Sequence, residues 1–297
     1  MTYYLKVAKD DMSGLCNQIY TIAGCIEYCI KKGINNMICD GFLLEVKTKE
    51  YCLLSEVIDM KKINQTLKKH KLELRDATEE ERKTIQFQPS PILYMANSFN
   101  SKIFTDILNN IVFLEDYNTL AKNIVKYDRI NVIHLRLEYD AVNVFSKQMN
   151  IHPDVYRIVN EDRYIEAISK YIDKNVMTVI LTNDKSNRVI DYMKRYKYKF
   201  ILTEKKFDKR ELNALVDLHI GFMCNTVLIG SYDSSFSYTI LNRVLIKRNP
   251  EFFSCMIELN KYDNINRLYN YNTYDKYISD DSIKSLIFIG MDGQLYS

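Results

Sequence analysis

Strand-length apolar segments alternate with amphipathic segments through the second half of the chain, and this alternation constrains the fold more than any other feature. The apolar segments are RINVIHLRLEY (129–139), VMTVILTND (176–184), KYKFILTE (197–204) and NTVLIGS (225–231). The segments between and after them have helical spacing: 160–174, 185–196, 209–223 and 234–244. Buried strands separated by helices are typical of βαβ units. The sequence therefore predicts an α/β fold with a doubly wound parallel sheet.

The first half opens in the same way. YYLKVAK predicts a strand, the segment 13–33 predicts a helix that ends at Gly33, and NMICDGFLLEV (36–46) predicts one further strand. The charged segment 60–85 is predicted to be helical, and QPSPI (88–92) to be extended or turning. Two α/β domains are expected, over residues 1–127 and 128–297.

Composition excludes several classes of protein. A net charge of +3, with lysines spread along the chain, gives no support for nucleic-acid binding. Seven cysteines without C-x-x-C spacing, and four histidines at no metal-ligand interval, indicate reduced thiols and no structural zinc. With no secretory signal and no apolar run of ~18 residues, we expect a cytoplasmic protein without a membrane span.

Polar side chains follow the predicted strands, at the sheet edge where α/β proteins bind ligands. They are His134, Arg136, Glu138 and Asp140; Thr182, Asn183 and Asp184; Ser231, Asp233, Ser234, Ser235 and Ser237; and, after the first strand, Asp10, Asp11, Ser13, Gly14, Asn17 and Gln18. Arg136 near the end of a buried strand requires a counter-charge, from an acidic neighbour such as Asp140 or from an anionic ligand. The serines at 234–237 fit an ordinary N-cap, or a phosphate site at a helix N-terminus.

Missing motifs narrow the function further. The chain has no G-x-G-x-x-G or Walker loop, which argues against dinucleotide dehydrogenases and P-loop NTPases. It also has no G-x-S-x-G elbow, and no D-x-D pair to hold a metal-bound nucleotide sugar. A nucleotide diphosphate would therefore have to be held by arginine and a helix N-terminus.

Three motifs, in order, resemble those of the GDP-fucose-dependent fucosyltransferase superfamily, which includes protein O-fucosyltransferases and α1,2-fucosyltransferases. SGLCNQIYTIAG is similar to the G-x-x-N-Q helix start, IHLRLEYD to the H-x-R motif, and VDLHIGFMCNTVLIGSYDSSFS to the motif in which a helical aspartate precedes a strand and a Ser-Ser-Phe turn. The motifs span residues 13–243, and the segment 35–125 between them carries little likeness.

The resemblance implies two Rossmann-like domains in the GT-B arrangement, with acceptor binding in the first and nucleotide-sugar binding in the second. It implies an inverting, metal-independent transfer of fucose from GDP-fucose to a glycan or protein hydroxyl, without a cofactor. By resemblance Arg136 and Asn17 are catalytic, and Asp140 is one of three candidate general bases, beside Glu138 and Asp11. The implied donor-binding residues are His134, Asp217, Ser234, Ser235, Phe236, Gly14 and Gln18.

Two departures from the family pattern keep alternatives open. Cys16 stands where the family commonly has glycine, and the insertion before the serines brings Asp233 near the expected phosphate site. The alternatives are the same fold with another nucleotide sugar, or a pseudoenzyme that binds a nucleotide or glycan without catalysis.

Overall fold

A computed structural model describes residues 1–8, 14–45, 47–89, 102–148, 150–231, 234–246, 252–257, 286–289 and 295–296. The chain forms two compact units. The first contains Met1–Leu120 and Lys206–Val216; the second contains Ala121–Lys205, Asp217–Ile265 and Tyr274–Ser297. The functional division into an acceptor domain over 1–127 and a donor domain over 128–297 stays a prediction.

The first unit is built on a parallel sheet with strand order β5-β2-β1-β6, and a separate antiparallel hairpin joins β3 to β4. The strands are β1 (Thr2–Lys6), β2 (Asn36–Cys39), β3 (Phe42–Glu45), β4 (Glu50–Cys52), β5 (Glu73–Asp76) and β6 (Gln88–Pro89). The helices are α1 (Leu15–Lys32), α2 (Met60–Leu67), α3 (Glu79–Thr84) and α4 (Lys102–Asn110), together with the part of α5 (Glu115–Ile124) up to Leu120. Gly33 ends α1 in the left-handed conformation at φ 66°, as predicted.

The single strand predicted over 36–46 is wrong. The segment forms two strands of different sheets, β2 and β3, separated by Asp40 and Gly41. Gly41 has φ 148°, and a Cβ at this position would lie 2.8 Å from the carbonyl oxygen of Cys52. The apolar run continues through the break because the end of β2 and the start of β3 are both buried, so hydrophobicity alone does not reveal the turn.

The helical prediction for 60–85 is correct for α2 and α3 and misses the strand between them. β5 pairs in parallel with β2 at the edge of the sheet, with Leu74 opposite Met37. In this strand Leu74 is buried, while Glu73 and Arg75 on either side of it are exposed. A strand with a single buried side chain carries too weak an alternation to stand out among charged residues.

The second unit contains the sheet that the strand–helix alternation predicts, with strand order β13-β12-β11-β10-β7-β8-β9. All its neighbouring strands are parallel except the pair β12 and β13. The strands are β7 (Ile130–His134), β8 (Met177–Leu181), β9 (Phe200–Leu202), β10 (Val227–Ser231), β11 (Phe253–Ile257), β12 (Leu286–Ile289) and β13 (Leu295–Tyr296). The helices are α6 (Tyr139–Gln148), α7 (Pro153–Tyr171), α8 (Arg188–Arg195) and α10 (Ser235–Ile246), together with the part of α9 (Arg210–Phe222) from Asp217 onward. The predicted α/β class is confirmed.

The core of this unit explains why its strands read as continuous apolar runs. Both faces of the central strand β7 are covered, and each of its five residues is buried. Helix α7 packs Tyr164, Ala167 and Ile168 into the same hydrophobic cluster as Ile133. The carboxyl ends of β7 and β10 therefore rest on a rigid, closely packed base.

Candidate functional site

The carboxyl ends of β7 and β10 lie side by side, and a hydrogen bond joins the segments that follow them. The parallel register pairs Ile133 of β7 with Ile229 of β10. His134 Nδ1 lies 2.7 Å from Ser237 Oγ, and Ser237 Oγ in turn accepts the Ser231 N–H at 3.0 Å. Two motifs that are about a hundred residues apart in sequence thus meet at one sheet edge.

His134 is held as a neutral imidazole. It is buried, and burial, assisted by the nearby Arg136 charge, lowers the pKa of His134 to about 3. A serine hydroxyl has one proton to donate, and Ser237 Oγ already accepts from Ser231. In the tautomer in which Ser237 donates to Nδ1, the imidazole proton lies on Nε2. The ring centroid lies 4.8 Å from that of Phe236, which fixes its orientation further.

The backbone around Arg136 is anchored by a buried tyrosine. The Tyr164 hydroxyl accepts the Arg136 N–H at 3.3 Å and donates to the His134 carbonyl at 2.9 Å. The hydroxyl is fixed because Tyr164 is fully buried on α7. This bridge sets the direction in which the chain leaves β7, and with it the position of the guanidinium.

The counter-charge of Arg136 comes from Glu138, whose Oε2 lies 2.9 Å from Nη1. Asp140 was predicted as an example of such an acidic neighbour; the structure describes only its backbone, in the first turn of α6. The Arg136 side chain keeps 27% of its surface exposed, against 13% for Glu138. The ion pair therefore orients a cation that solvent still reaches.

The serine turn is built as a helix start. Helix α10 begins at Ser235, and the Ser234 hydroxyl accepts the Ser237 N–H at a long 3.5 Å, the ordinary N-cap contact. Ser231 Oγ is fully buried and has no hydrogen-bond partner in the described part of the chain. The departure at Asp233 lies outside the described residues. N-capping and anion binding use the same first turn, so the cap contact is compatible with a ligand.

Asp217 lies at the same sheet edge, toward β8 and β9. The Thr203 hydroxyl, just after β9, donates to the Asp217 carboxyl. The positive charge of Lys185, which follows β8, also favours the ionised carboxyl. Burial outweighs both contacts and raises the pKa of Asp217 to about 7. Asp184 at this edge instead forms an ion pair with Arg157, which gives it a structural role.

The first-motif residues lie in the other unit, on α1. Gly14 is the N-cap residue, with an ordinary φ of −62°, and Asn17 is half-buried. Gln18 is fully buried: its amide donates to the Leu43 carbonyl at 2.9 Å and accepts the Leu43 N–H at 2.8 Å. The Leu15 N–H is satisfied by Glu211 at 2.6 Å, a cap that the sequence gave no reason to expect. Donor binding by Gly14 and Gln18, and catalysis by Asn17, stay predictions.

The roles of Ser237 and Tyr164 in this arrangement were not predicted. Glu138 was predicted at the strand end and as a candidate base, but not as the partner of Arg136. Ser237 was predicted to lie at the sheet edge, but no role was assigned to it. Its position three residues after Ser234 could have indicated the contact between an N-cap side chain and the N3 backbone N–H. The spacing of Tyr164 indicated helix packing and nothing about its hydroxyl. Within the described residues no three His, Cys, Asp or Glu side chains converge as metal ligands, and no helix is long and apolar enough to cross a bilayer.

Comparison with solved structures gives clear similarity in fold. The chain is similar to POFUT1 crystallised in complex with GDP-fucose, with a TM-score of 0.54 and 10% identity, over 82% of this chain and 93% of that one. It is also similar to the NodZ α-1,6-fucosyltransferase co-crystallised with GDP, with a TM-score of 0.51 and 10% identity, over 81% and 92% of the two chains. NodZ from Bradyrhizobium without a stated ligand gives the same values.

No protein-family model matches the sequence, and no curated protein matches it. The similarity is therefore one of fold across most of the chain. It confirms the fold that the three-motif resemblance implies.

Proposed function

We propose that the protein is a glycosyltransferase that moves fucose from GDP-fucose to a hydroxyl group of a glycan or protein. The hydrogen bond between His134 and Ser237 carries the proposal, because it unites the second and third motifs beside Arg136. The fold similarity to POFUT1 with GDP-fucose, and to NodZ with GDP, supports the same assignment.

The pyrophosphate lies between Arg136 and the first turn of α10. As the bond between the fucose anomeric carbon and the pyrophosphate breaks, negative charge accumulates on the departing GDP. The guanidinium and the helix N-terminus stabilise that charge, which is the task of a metal ion in enzymes that use one. The transfer is accordingly metal-independent. The neutral His134 offers an Nε2–H donor to the ribose without adding charge.

The acceptor oxygen attacks the anomeric carbon from the face opposite the leaving GDP, so the configuration inverts. The new C–O bond forms as the bond to phosphate breaks, and the acceptor hydroxyl loses its proton to a carboxylate. The candidates for this base are Glu138, Asp140 and Asp11, the last of which lies outside the described residues. Asp217 accepts from the guanine edge, which presents two donors where uracil presents one. This difference selects the nucleotide. The reaction takes place in the cytoplasm.

Thermal stabilisation by a nucleotide panel tests the donor. A ligand at one hundred times its Kd stabilises the native state by about 2.7 kcal/mol, so binding raises the melting temperature. We expect shifts with GDP and GDP-fucose, unchanged by EDTA, and none with UDP or UDP-sugars. The absence of any shift with guanine nucleotides would refute the assignment of the site, and an equal shift with UDP-sugars would favour another donor.

Substitution of Arg136 tests catalysis. Loss of one preorganised charge of this kind lowers turnover by about 10²- to 10³-fold. We expect Arg136→Ala to show this loss with an unchanged circular dichroism spectrum, and Arg129→Ala, an exposed arginine just before β7, to retain activity. If Arg136→Ala fails to fold, the ion pair with Glu138 is structural instead. Donor binding without turnover in the wild type would identify the pseudoenzyme.

A further inference from the structure

A cavity of about 450 Å³ lies within the first unit, on the side of the sheet where β2 ends. Asp40 contributes from the end of β2, Tyr51 and Cys52 from the hairpin strand β4, Arg82 from α3 and Phe87 from the segment before β6. Its volume falls in the range of ~300–1,000 Å³ that is usual for small-molecule sites. None of the three sequence motifs contributes to it.

The cavity has aromatic walls. Phe87 packs edge-on against Tyr4, with ring centroids 5.8 Å apart and planes at 89°, so its ring is fixed. Tyr51 leaves 48% of its surface exposed, although large apolar side chains in folded proteins are mostly covered. The negatively polarised faces of aromatic rings suit the C–H faces of a pyranose ring, which are apolar but bordered by hydroxyls.

Donors and acceptors are both present beside these rings. The Asp40 carboxyl accepts the Val7 N–H at 2.9 Å, and burial raises its pKa. The backbone N–H groups of Gly41 and of Asp40 itself also donate to this carboxyl. A carboxylate has about four acceptor positions, so about one remains for a ligand. Arg82 donates from Nε to the Asp40 carbonyl at 2.8 Å, while its Nη groups make no hydrogen bond with the described part of the chain. Sugar hydroxyls both donate and accept, and match such a mixed set.

Charge and reactivity exclude other ligand classes. Two carboxylates, Asp40 and Glu56, and one guanidinium, Arg82, line the cavity, so it offers a phosphorylated ligand no excess of positive charge. The Cys52 thiol is a poor nucleophile, because burial, with smaller effects from Glu56 and Asp76, raises its pKa to about 12. The ligand that fits is uncharged, rich in hydroxyls and apolar on one face.

We propose that this cavity binds a neutral saccharide, with the sugar ring against Tyr51 and Phe87 and its hydroxyls on Asp40 and Arg82. The proposal rests on the proposed function in one respect: the saccharide is the acceptor of fucose transfer. Under that function the cavity selects glycan acceptors over protein acceptors.

Saturation-transfer NMR on the full chain tests the site directly. The probes are the methyl glycosides of glucose, galactose and N-acetylglucosamine, with inorganic phosphate as an anion in competition. We expect saturation transfer to at least one glycoside, undiminished by phosphate. Tyr51→Ala and Arg82→Gln should each weaken its binding at least fivefold. Both side chains are exposed, and circular dichroism checks the fold of each variant. Lys83→Ala, an exposed neighbour on α3 outside the cavity, is the control and should bind as the wild type does.

The proposal is overturned if no glycoside receives saturation, if phosphate displaces the glycoside, or if the cavity variants and Lys83→Ala bind alike. The guanine-nucleotide thermal shift is measured separately on the same preparations, and its site in the second unit contains none of these residues. Saccharide binding without a GDP shift would support the saccharide site and refute the proposed transferase function. A GDP shift without saccharide binding would support the donor site and refute the saccharide site. For an active enzyme, Tyr51→Ala should lower transfer to the bound glycoside while GDP release in water stays unchanged.

Discussion

The affinity for GDP-fucose should rise with pH through neutrality, because Asp217 must lose a proton to bind guanine. The Asp217 carboxyl is partly buried, and burial raises its pKa to about 7 in spite of the Thr203 hydrogen bond and the Lys185 charge. Below that pH the carboxyl is mostly protonated and cannot accept from both guanine donors. Above it the ionised form is present before the ligand arrives.

The size of the effect follows from the ionised fraction. With a pKa of about 7, roughly a tenth of the molecules are ionised at pH 6 and roughly nine tenths at pH 8, so the apparent Kd should fall about tenfold over this range.

The raised pKa of Asp217 has the opposite effect on folding: it makes the native state less stable as the pH rises. In the unfolded chain Asp217 is ionised above about 4, so the raised native pKa stabilises the fold at low pH. That contribution is lost as the pH rises through about 7.

Isothermal titration calorimetry at pH 6, 7 and 8 measures the effect. GDP-fucose is the preferred probe because its pyrophosphate is substituted at both ends, so no phosphate ionisation near neutrality mimics the protein's. Titrations in two buffers of different ionisation enthalpy should reveal release of about one proton at pH 6. Asp217→Asn should bind more weakly and without pH dependence. A Kd for the wild type that is constant from pH 6 to 8, or equal pH dependence in Asp217→Asn, would refute the reasoning.

Three further predictions concern other buried groups. His134 should keep a constant NMR chemical shift from pH 8 to 5, since burial lowers its pKa to about 3; its signal is identified by its loss in His134→Gln, and a midpoint near 6.5 would contradict the buried neutral imidazole. Gly221→Ala should destabilise the protein by about 1–3 kcal/mol in urea unfolding, because the new Cβ would lie 2.5 Å from Ile240; an unchanged midpoint would mean that α10 yields freely. Gln18→Leu should cost about 1–3 kcal/mol for each of the two Leu43 backbone groups left unpaired. A GDP-induced thermal shift that survives in the folded variant would contradict the predicted role of Gln18 in donor binding, and loss of the shift would support it.

The sequence by itself determined the features that depend on near neighbours. The helix α1 with its end at Gly33, the strands β7 to β10 and the helices α7 to α10 follow from local periodicity and capping residues. Helix α6 was not predicted: its first residue, Tyr139, was assigned to the strand over 129–139, which ends at His134. The polar residues at the strand ends could be named before the structure, because parallel strands bring their carboxyl ends to one edge.

Tertiary structure decided whatever depends on distant partners. β5 exists because Leu74 lies beside Met37, and the break at Gly41 exists because the Cys52 carbonyl approaches it. No local pattern encodes either contact.

The same division holds at the candidate site. That His134 and Ser237 stand near strand ends is visible in the sequence, but their hydrogen bond requires β7 and β10 to be neighbours in the sheet. Asp217 carries no sign in its sequence surroundings of a pKa near 7. That value arises from burial, and burial is a property of the packed chain.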